Sequence, residues 1–416
     1  MKYVLIIPDG MADQPIKKLN GKTPLEVACT PHMDYFAGRG VVGLSQNTPE
    51  GFSPGTDIGC LSVFGYDPRK YFTGRGPLEA AVYGIKMKPK DLVFRCNLVT
   101  TQGNILKDFT ADHISLREAK KLIGRLNRAV RKIVKSHVRF YAGKATGYRH
   151  LMIVKNAASV FDEIKCVPPH NILDQEYQQY LPGRDPLTPM RQKKTGELLN
   201  QLMNISRDVF KDHPVNRRRR ENRNGEASQI WLWGQGFRPK FPSYEARFGF
   251  RGGVITAVDV LKGIALHAGL EVIRVPGVTG YFDTNYLGKA EHAIRSLRKN
   301  DFVAIHIEST DEAGHMGDIK LKIKAIEDVD RLVLGTLRTA LEKFDDYKIL
   351  LLPDHYTCVE TRTHSSDPVP FFIYSSKEKK EGPRQFCEKS AKQSGFVMKE
   401  GHRLMDFFVR GQVSGT

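Results

Sequence analysis

Residues 302–315, FVAIHIESTDEAGH, and residues 348–355, KILLLPDH, decide how this chain folds. Each opens as a short aliphatic run and ends on acidic and imidazole side chains. A run of five or six apolar residues without polar alternation reads as a strand buried on both faces, the signature of a parallel sheet covered by helices. The first ten residues, MKYVLIIPDG, repeat the pattern, with a strand at Tyr3–Ile7. QIWLWG (229–234), GVITA (253–257) and EVIRV (271–275) read as further strands, and VDVLKGIALHAG (258–269) and GKAEHAIRSLRK (288–299) as the helices between them. Thr23 to Phe36 has a helical period, with Thr23 as N-cap and Pro24 in the first position.

This rhythm is interrupted. VFRCNLVT (93–100) and HLMIVK (150–155) read as strands beside one long amphipathic helix, SLREAKKLIGRLNRAVRKIVKS (115–136). Residues 167–228 are polar and rich in Pro and Arg, with a helix around Leu198–Phe210. The expected architecture is α/β: a mostly parallel sheet with helices on both faces, formed by residues 1–85 and 228–416. An α+β cap, residues 86–227, is inserted into it.

At 416 residues, with 40% hydrophobic and 26% charged residues, the composition is that of a soluble protein of more than one domain. No apolar run approaches the roughly 20 residues that cross a bilayer. The N-terminal apolar stretch is too short for a signal peptide. Six cysteines without a CxxC pair point to reduced thiols and a cytoplasmic setting. The net charge of +18 draws anions. Arg217 to Arg220 form its densest run, yet no nucleic-acid-binding module accompanies it. Composition alone leaves the partner open between nucleic acid and a small phosphorylated or carboxylated substrate.

Chemistry concentrates where strands end. Asp9 follows the first strand, Asp311 and His315 follow FVAIHIE, and Asp354 and His355 follow KILLL, with His364 nine residues on. Open α/β sheets place their sites at the carboxyl ends of strands. Asp311 and His315 are four apart, hence on one helical face. Singly, Asp9 could serve a turn, Asp311 a helix cap and His355 the core. Together they read as a dinuclear centre, its mixed carboxylate and imidazole donors suiting manganese or zinc. The loop Gly51–Gly55 leads into Thr56, read either as a nucleophile activated by a metal or as an N-cap.

The stretches IIPDGMADQPI, PGTDIGCLSVFGYDPRKYFTGRGPLEAA, TGYFDTNYLGKAE, STDEAGHMGD and LLPDHYTCVETRTHSSDPVPF resemble, in order, the alkaline phosphatase superfamily. Within it they are similar to the archaeal-type cofactor-independent phosphoglycerate mutases. That resemblance implies an alkaline-phosphatase-like sheet and interconversion of 3-phosphoglycerate and 2-phosphoglycerate without 2,3-bisphosphoglycerate. It implies two divalent ions, manganese first, with zinc, cobalt or magnesium as alternatives. One would be held by Asp9, Thr56, Asp354 and His355, the other by Asp311, His315 and His364. Thr56, where the family carries Ser, would be the nucleophile and form a phosphothreonine. Cys60 falls where the archaeal pattern carries Asn. His113, Arg149, Arg217, Arg220 and Lys289 are the implied contacts of a small phosphorylated carboxylate substrate, with neither nucleic acid nor membrane as partner, on a monomer or small homo-oligomer. A homoserine kinase-like enzyme or a phosphatase on the same scaffold is the alternative.

Overall fold

The computed structural model describes all residues except 134–136, 145, 158–162, 379 and 412–416. It divides into two compact units, Met1–Phe72 with Lys240–Thr416, and Thr73–Pro239.

The first unit is built on an eight-stranded sheet. From one edge to the other its strands are Val397–Met398, Val41–Ser45, Val369–Ser375, Tyr347–Leu351, Lys2–Pro8, Phe302–Ile307, Gly252–Ile255 and Glu271–Val272. All pairs are parallel except the two made by Val369–Ser375. Alternate residues of the central strands feed opposite faces. Val4, Ile6, Val303, Ile305, Ile349 and Leu351 pack against Ala290, Ala293 and Leu297 of helix Tyr286–Leu297 and Val333, Leu334 and Leu337 further on. On the other face Tyr3 stacks on Phe250 and meets Phe408 of helix Leu404–Arg410 edge-on. Burial on both faces is why these strands carry no polar alternation.

The second unit is an antiparallel sheet. Its long strand Leu92–Gln102 pairs with Arg149–Val154, with Gln229–Phe237 and, at its end, with Ile105–Asp108; Val138–Tyr141 lies outside Arg149–Val154. Helix Leu116–Ile133 buries Ala119, Leu122, Ile123, Leu126 and Val130, at the spacing of one helical face.

Three expectations are corrected. Gln229–Phe237 does not join the parallel sheet; seven of its residues pair with Leu92–Val99. The unit boundaries fall at 72/73 and 239/240 rather than near 85 and 228, because helix Arg75–Val82 packs on those two strands and the Thr73 hydroxyl donates to Phe237 O at 2.7 Å. The Thr23–Phe36 helix is two: Pro24–Val27, closed by a Thr23/Glu26 capping box, and Pro31–Ala37. Pro31 disfavours helical geometry at Thr30, so the chain must restart. Among the described residues no helix is long and apolar enough to cross a membrane.

His150 gives the second unit an acid sensitivity. It is 1% exposed, and its Nδ1 accepts the Gly143 N–H at 2.9 Å. Burial depresses its pKa from 6.5 to about 4. Between those values the unfolded chain takes up a proton that the folded ring refuses, so stability is full above 6.5 and falls as the pH drops to about 4. The expected loss is ~3 kcal/mol. Denaturant melts of native and His150→Gln protein across this range should converge toward pH 4.

Candidate metal centre

The three strands that lead into Asp9, Asp311 and Asp354 are neighbours. Lys2–Pro8 lies between Phe302–Ile307 and Tyr347–Leu351, parallel to both, with Pro8 beside Ile307 and Ile6 beside Leu351. Their carboxyl ends therefore open at one edge, about 5 Å apart from strand to strand. Asp9, Asp311 and Asp354 leave from these ends.

Asp9, Asp354 and His355 form one group: His355 Nε2 lies 3.4 Å from Asp9 Oδ1 and 3.4 Å from Asp354 Oδ2. Asp311, His315 and His364 form another. His315 Nε2 is 3.3 Å from Asp311 Oδ2, His364 Nε2 is 3.4 Å from Asp311 Oδ1, and the two Nε2 atoms are 3.0 Å apart. His364 arrives on a hairpin in which Thr357 pairs with it across the strands. The Thr357 hydroxyl donates to Asp311.

The imidazoles share one arrangement. Nδ1 of His315 faces Arg362 O at 3.0 Å, Nδ1 of His364 faces Pro54 O at 3.3 Å, and Nδ1 of His355 faces Tyr356 O at 3.2 Å. A ring whose Nδ1–H is given to a carbonyl turns a bare Nε2 lone pair toward the group it must bind. His355 Nε2 and Asp9 Oδ1 are buried and have no hydrogen-bond partner. Orphaned donors of this kind are what a bound cation satisfies.

Without an ion, the charges of these groups answer to one another. Burial and the carboxylates of Asp354 and Asp311 push Asp9 well above the carboxylate range. Asp311 is held well below it, against burial, by His315 and His364. The Asp311 hydrogen bond lifts His315 to about 9. Asp9 and Asp354 are buried and Asp311 nearly so, and carboxylates so placed call for compensating positive charge.

Thr56 opens helix Thr56–Val63, and the N-cap is Gly55, in extended backbone with no side-chain capping bond. Thr56 is therefore not the cap, and its hydroxyl has no capping duty. One turn on, Gly59 runs so close that a Cβ there would sit 2.6 Å from Asp354 O. Gly10, at φ +58°, is equally constrained: a Cβ would lie 2.7 Å from Asp311 Oδ1.

Two residues missed in the sequence stand behind the centre. His306 places Nε2 3.2 Å from Asp9 Oδ2 and Nδ1 3.0 Å from Glu308 Oε1. Glu308 and Asp9 raise its pKa, against burial, to about 10. The signal was present: His306 and Glu308, two apart, share a side of an otherwise aliphatic run. Lys289 corrects an expected substrate contact. It is fully buried, donating to His306 O at 2.7 Å and pairing with Glu308 at 3.0 Å. Lys289, Glu308, His306 and Asp9 thus stand in a row of buried charged and polar groups.

In the second unit, His113 and Arg149 are exposed and flank Tyr148: the His113 ring is 6.4 Å from it, the Arg149 guanidinium 5.1 Å. His113 ends a stretch of three left-handed residues with Ala111 and Asp112, a strained backbone that needs support. Arg219 gives it, donating to Ala111 O at 3.0 Å and Asp112 O at 3.1 Å. Arg217 and Arg220 do not join this group. Arg217 faces solvent and Arg220 pairs with Glu226.

The family model for 2,3-bisphosphoglycerate-independent phosphoglycerate mutase matches residues 37–216. A protein of that name from Methanosarcina acetivorans is 44% identical, covering 99% of this chain and all of the relative. The chain belongs to this family. Another member, from Thermococcus gammatolerans, is 33% identical over 100% of this chain and 99% of its own. Among solved structures, a Pyrococcus horikoshii protein superposes with a TM-score of 0.79 at 30% identity, covering 100% and 99% of the two chains. The cofactor-independent phosphoglycerate mutase of Thermoplasma acidophilum gives 0.65 at 26% identity, covering 99% of each.

Proposed function

We propose that this family member interconverts 3-phosphoglycerate and 2-phosphoglycerate through a phosphothreonine at Thr56. The observation that carries the reading is the convergence of three imidazole Nε2 atoms and three carboxylates beside the helix that Thr56 opens. Asp9, Asp354 and His355, with Thr56, would hold one divalent ion, and Asp311, His315 and His364 the other. Bound there, manganese or zinc would lower the pKa of the Thr56 hydroxyl and neutralise phosphoryl charge.

Thr56 Oγ then attacks phosphorus as the bond to the substrate oxygen breaks, and that oxygen takes up a proton. The glycerate turns, and its other hydroxyl takes the phosphoryl group back, restoring Thr56. Water must be kept out while the phosphothreonine stands, or hydrolysis ends the cycle. His113 and Arg149 are assigned to glycerate, whose carboxylate suits an exposed guanidinium.

The test is conversion of 3-phosphoglycerate followed by phosphorus NMR, with no bisphosphoglycerate added. The signal of 2-phosphoglycerate should grow, vanish after exhaustive chelation and return with manganese. Full conversion by chelated protein would remove the metal reading, and release of free phosphate alone would make the enzyme a phosphatase.

A further inference from the structure

One donor at the centre is left over from this scheme. Cys60 lies one turn beyond Thr56 on the same helix, fully buried, with Sγ 3.5 Å from Asp354 Oδ2. That oxygen is the one 3.4 Å from His355 Nε2, which in turn is 3.4 Å from Asp9 Oδ1. Cys60 also falls within a ligand-sized group with His306 and Asp354.

These three separations have the lengths of tetrahedral edges. Zinc bonds of about 2.0–2.1 Å to nitrogen, 2.0–2.2 Å to oxygen and 2.3 Å to sulfur give edges of roughly 3.4 Å between nitrogen and oxygen and 3.6 Å between oxygen and sulfur. The nitrogen–oxygen edges at His355 and the Cys60–Asp354 edge have those lengths. The thiol is not the only indication, because Asp9 Oδ1 and His355 Nε2 are buried, without hydrogen-bond partners, and 3.4 Å apart.

We propose that Cys60 is a further ligand of the ion held by Asp9, Asp354 and His355, and that its sulfur makes this position prefer zinc or cobalt to manganese or magnesium. Binding breaks the S–H bond, forms a sulfur–metal bond and releases the proton to solvent. A soft thiolate among hard carboxylates shifts selectivity toward zinc, whereas the Asp311, His315 and His364 group has no sulfur and keeps the broader preference. Thr56 enters as the additional donor, since zinc expands to five ligands. The inference rests on the two-ion reading above.

The experiment loads the full chain with zinc, removes excess ion by dialysis, and measures zinc per chain together with zinc X-ray absorption. Two zinc per chain with a sulfur shell at about 2.3 Å, one sulfur for two zinc, is the expected result. Among the described residues no other cysteine belongs to a ligand-sized group, so Cys60→Ser should erase the shell. It should also weaken zinc against manganese at that position at least tenfold in competition. Cobalt-loaded native protein should show a near-ultraviolet sulfur-to-cobalt band that Cys60→Ser lacks. If Cys60→Ser does not fold, the native spectrum still decides. Zinc bound without a sulfur shell overturns the role of Cys60 and leaves the two-ion reading standing; a chain that binds no zinc overturns both.

Discussion

Thr56→Ala protein should fold as the native chain does and lose turnover by a factor on the order of 10⁴ or more, the scale seen when a catalytic nucleophile is removed. The structure sharpens this expectation. Had Thr56 been the N-cap, alanine would remove a capping bond worth about 1 kcal/mol and touch the rate only indirectly. Gly55 occupies the cap, so the Thr56 hydroxyl holds no capping bond. Alanine at the first helical position also suits helix propensity. Melting temperature should therefore stay close to native while activity disappears. Thr56→Ser keeps the oxygen and should keep turnover. Intact-mass measurement after brief exposure to phosphoglycerate, with fragmentation, should find one added phosphoryl group on Thr56 and none in Thr56→Ala. A phosphoryl group elsewhere, or an active Thr56→Ala protein, would sink the mechanism without touching the metal site.

How far the fold was legible depended on what each segment buries. Lys2–Pro8, Phe302–Ile307 and Tyr347–Leu351 are shielded on both faces, so their sequences are almost purely aliphatic and their ends are marked by the first charged residue. Gln229–Phe237 looks the same in sequence, but its partner is Leu92–Gln102, more than 120 residues earlier, in an antiparallel sheet. An apolar run reports burial and says nothing of which sheet does the burying. The same limit misplaced the unit boundaries, which follow packing of helix Arg75–Val82 rather than any change in composition.

The site shows a similar division. Asp9, Asp311, His315, Asp354, His355 and His364 were legible because charged residues at the ends of buried strands have few structural uses. The convergence of their atoms into two groups required coordinates. The run from Arg217 to Arg220 could not be parsed in sequence, because a helix turns successive residues through about 100°. Arg219 alone is buried, where it holds the backbone before His113, while its neighbours meet solvent. Cys60 was legible only as a departure from the family's Asn until Asp354 was seen beside it.

Lys289→Met is expected to be the most damaging single change outside the ligand set, and it separates a substrate contact from a buried support. A lysine that binds substrate from solvent would, when replaced, raise KM and leave stability alone. Lys289 is fully buried, with its ammonium shared between His306 O and Glu308 Oε2. Glu308 is itself buried and held far below the carboxylate range, against burial, by Lys289 and His306. Removing one partner strands the other charge, a loss of about 3–5 kcal/mol. Urea unfolding should reveal it as a shift in midpoint. Lys289→Met with Glu308→Gln should recover part of the loss, since no bare charge remains and glutamine can still accept from Ala257 N, now a 3.0 Å partner of Glu308. The double variant should still bind metal more weakly than native protein, because the Glu308–His306 contact that steadies Asp9 is altered. Native stability with a raised KM would return Lys289 to the substrate and undo its role as a buried support.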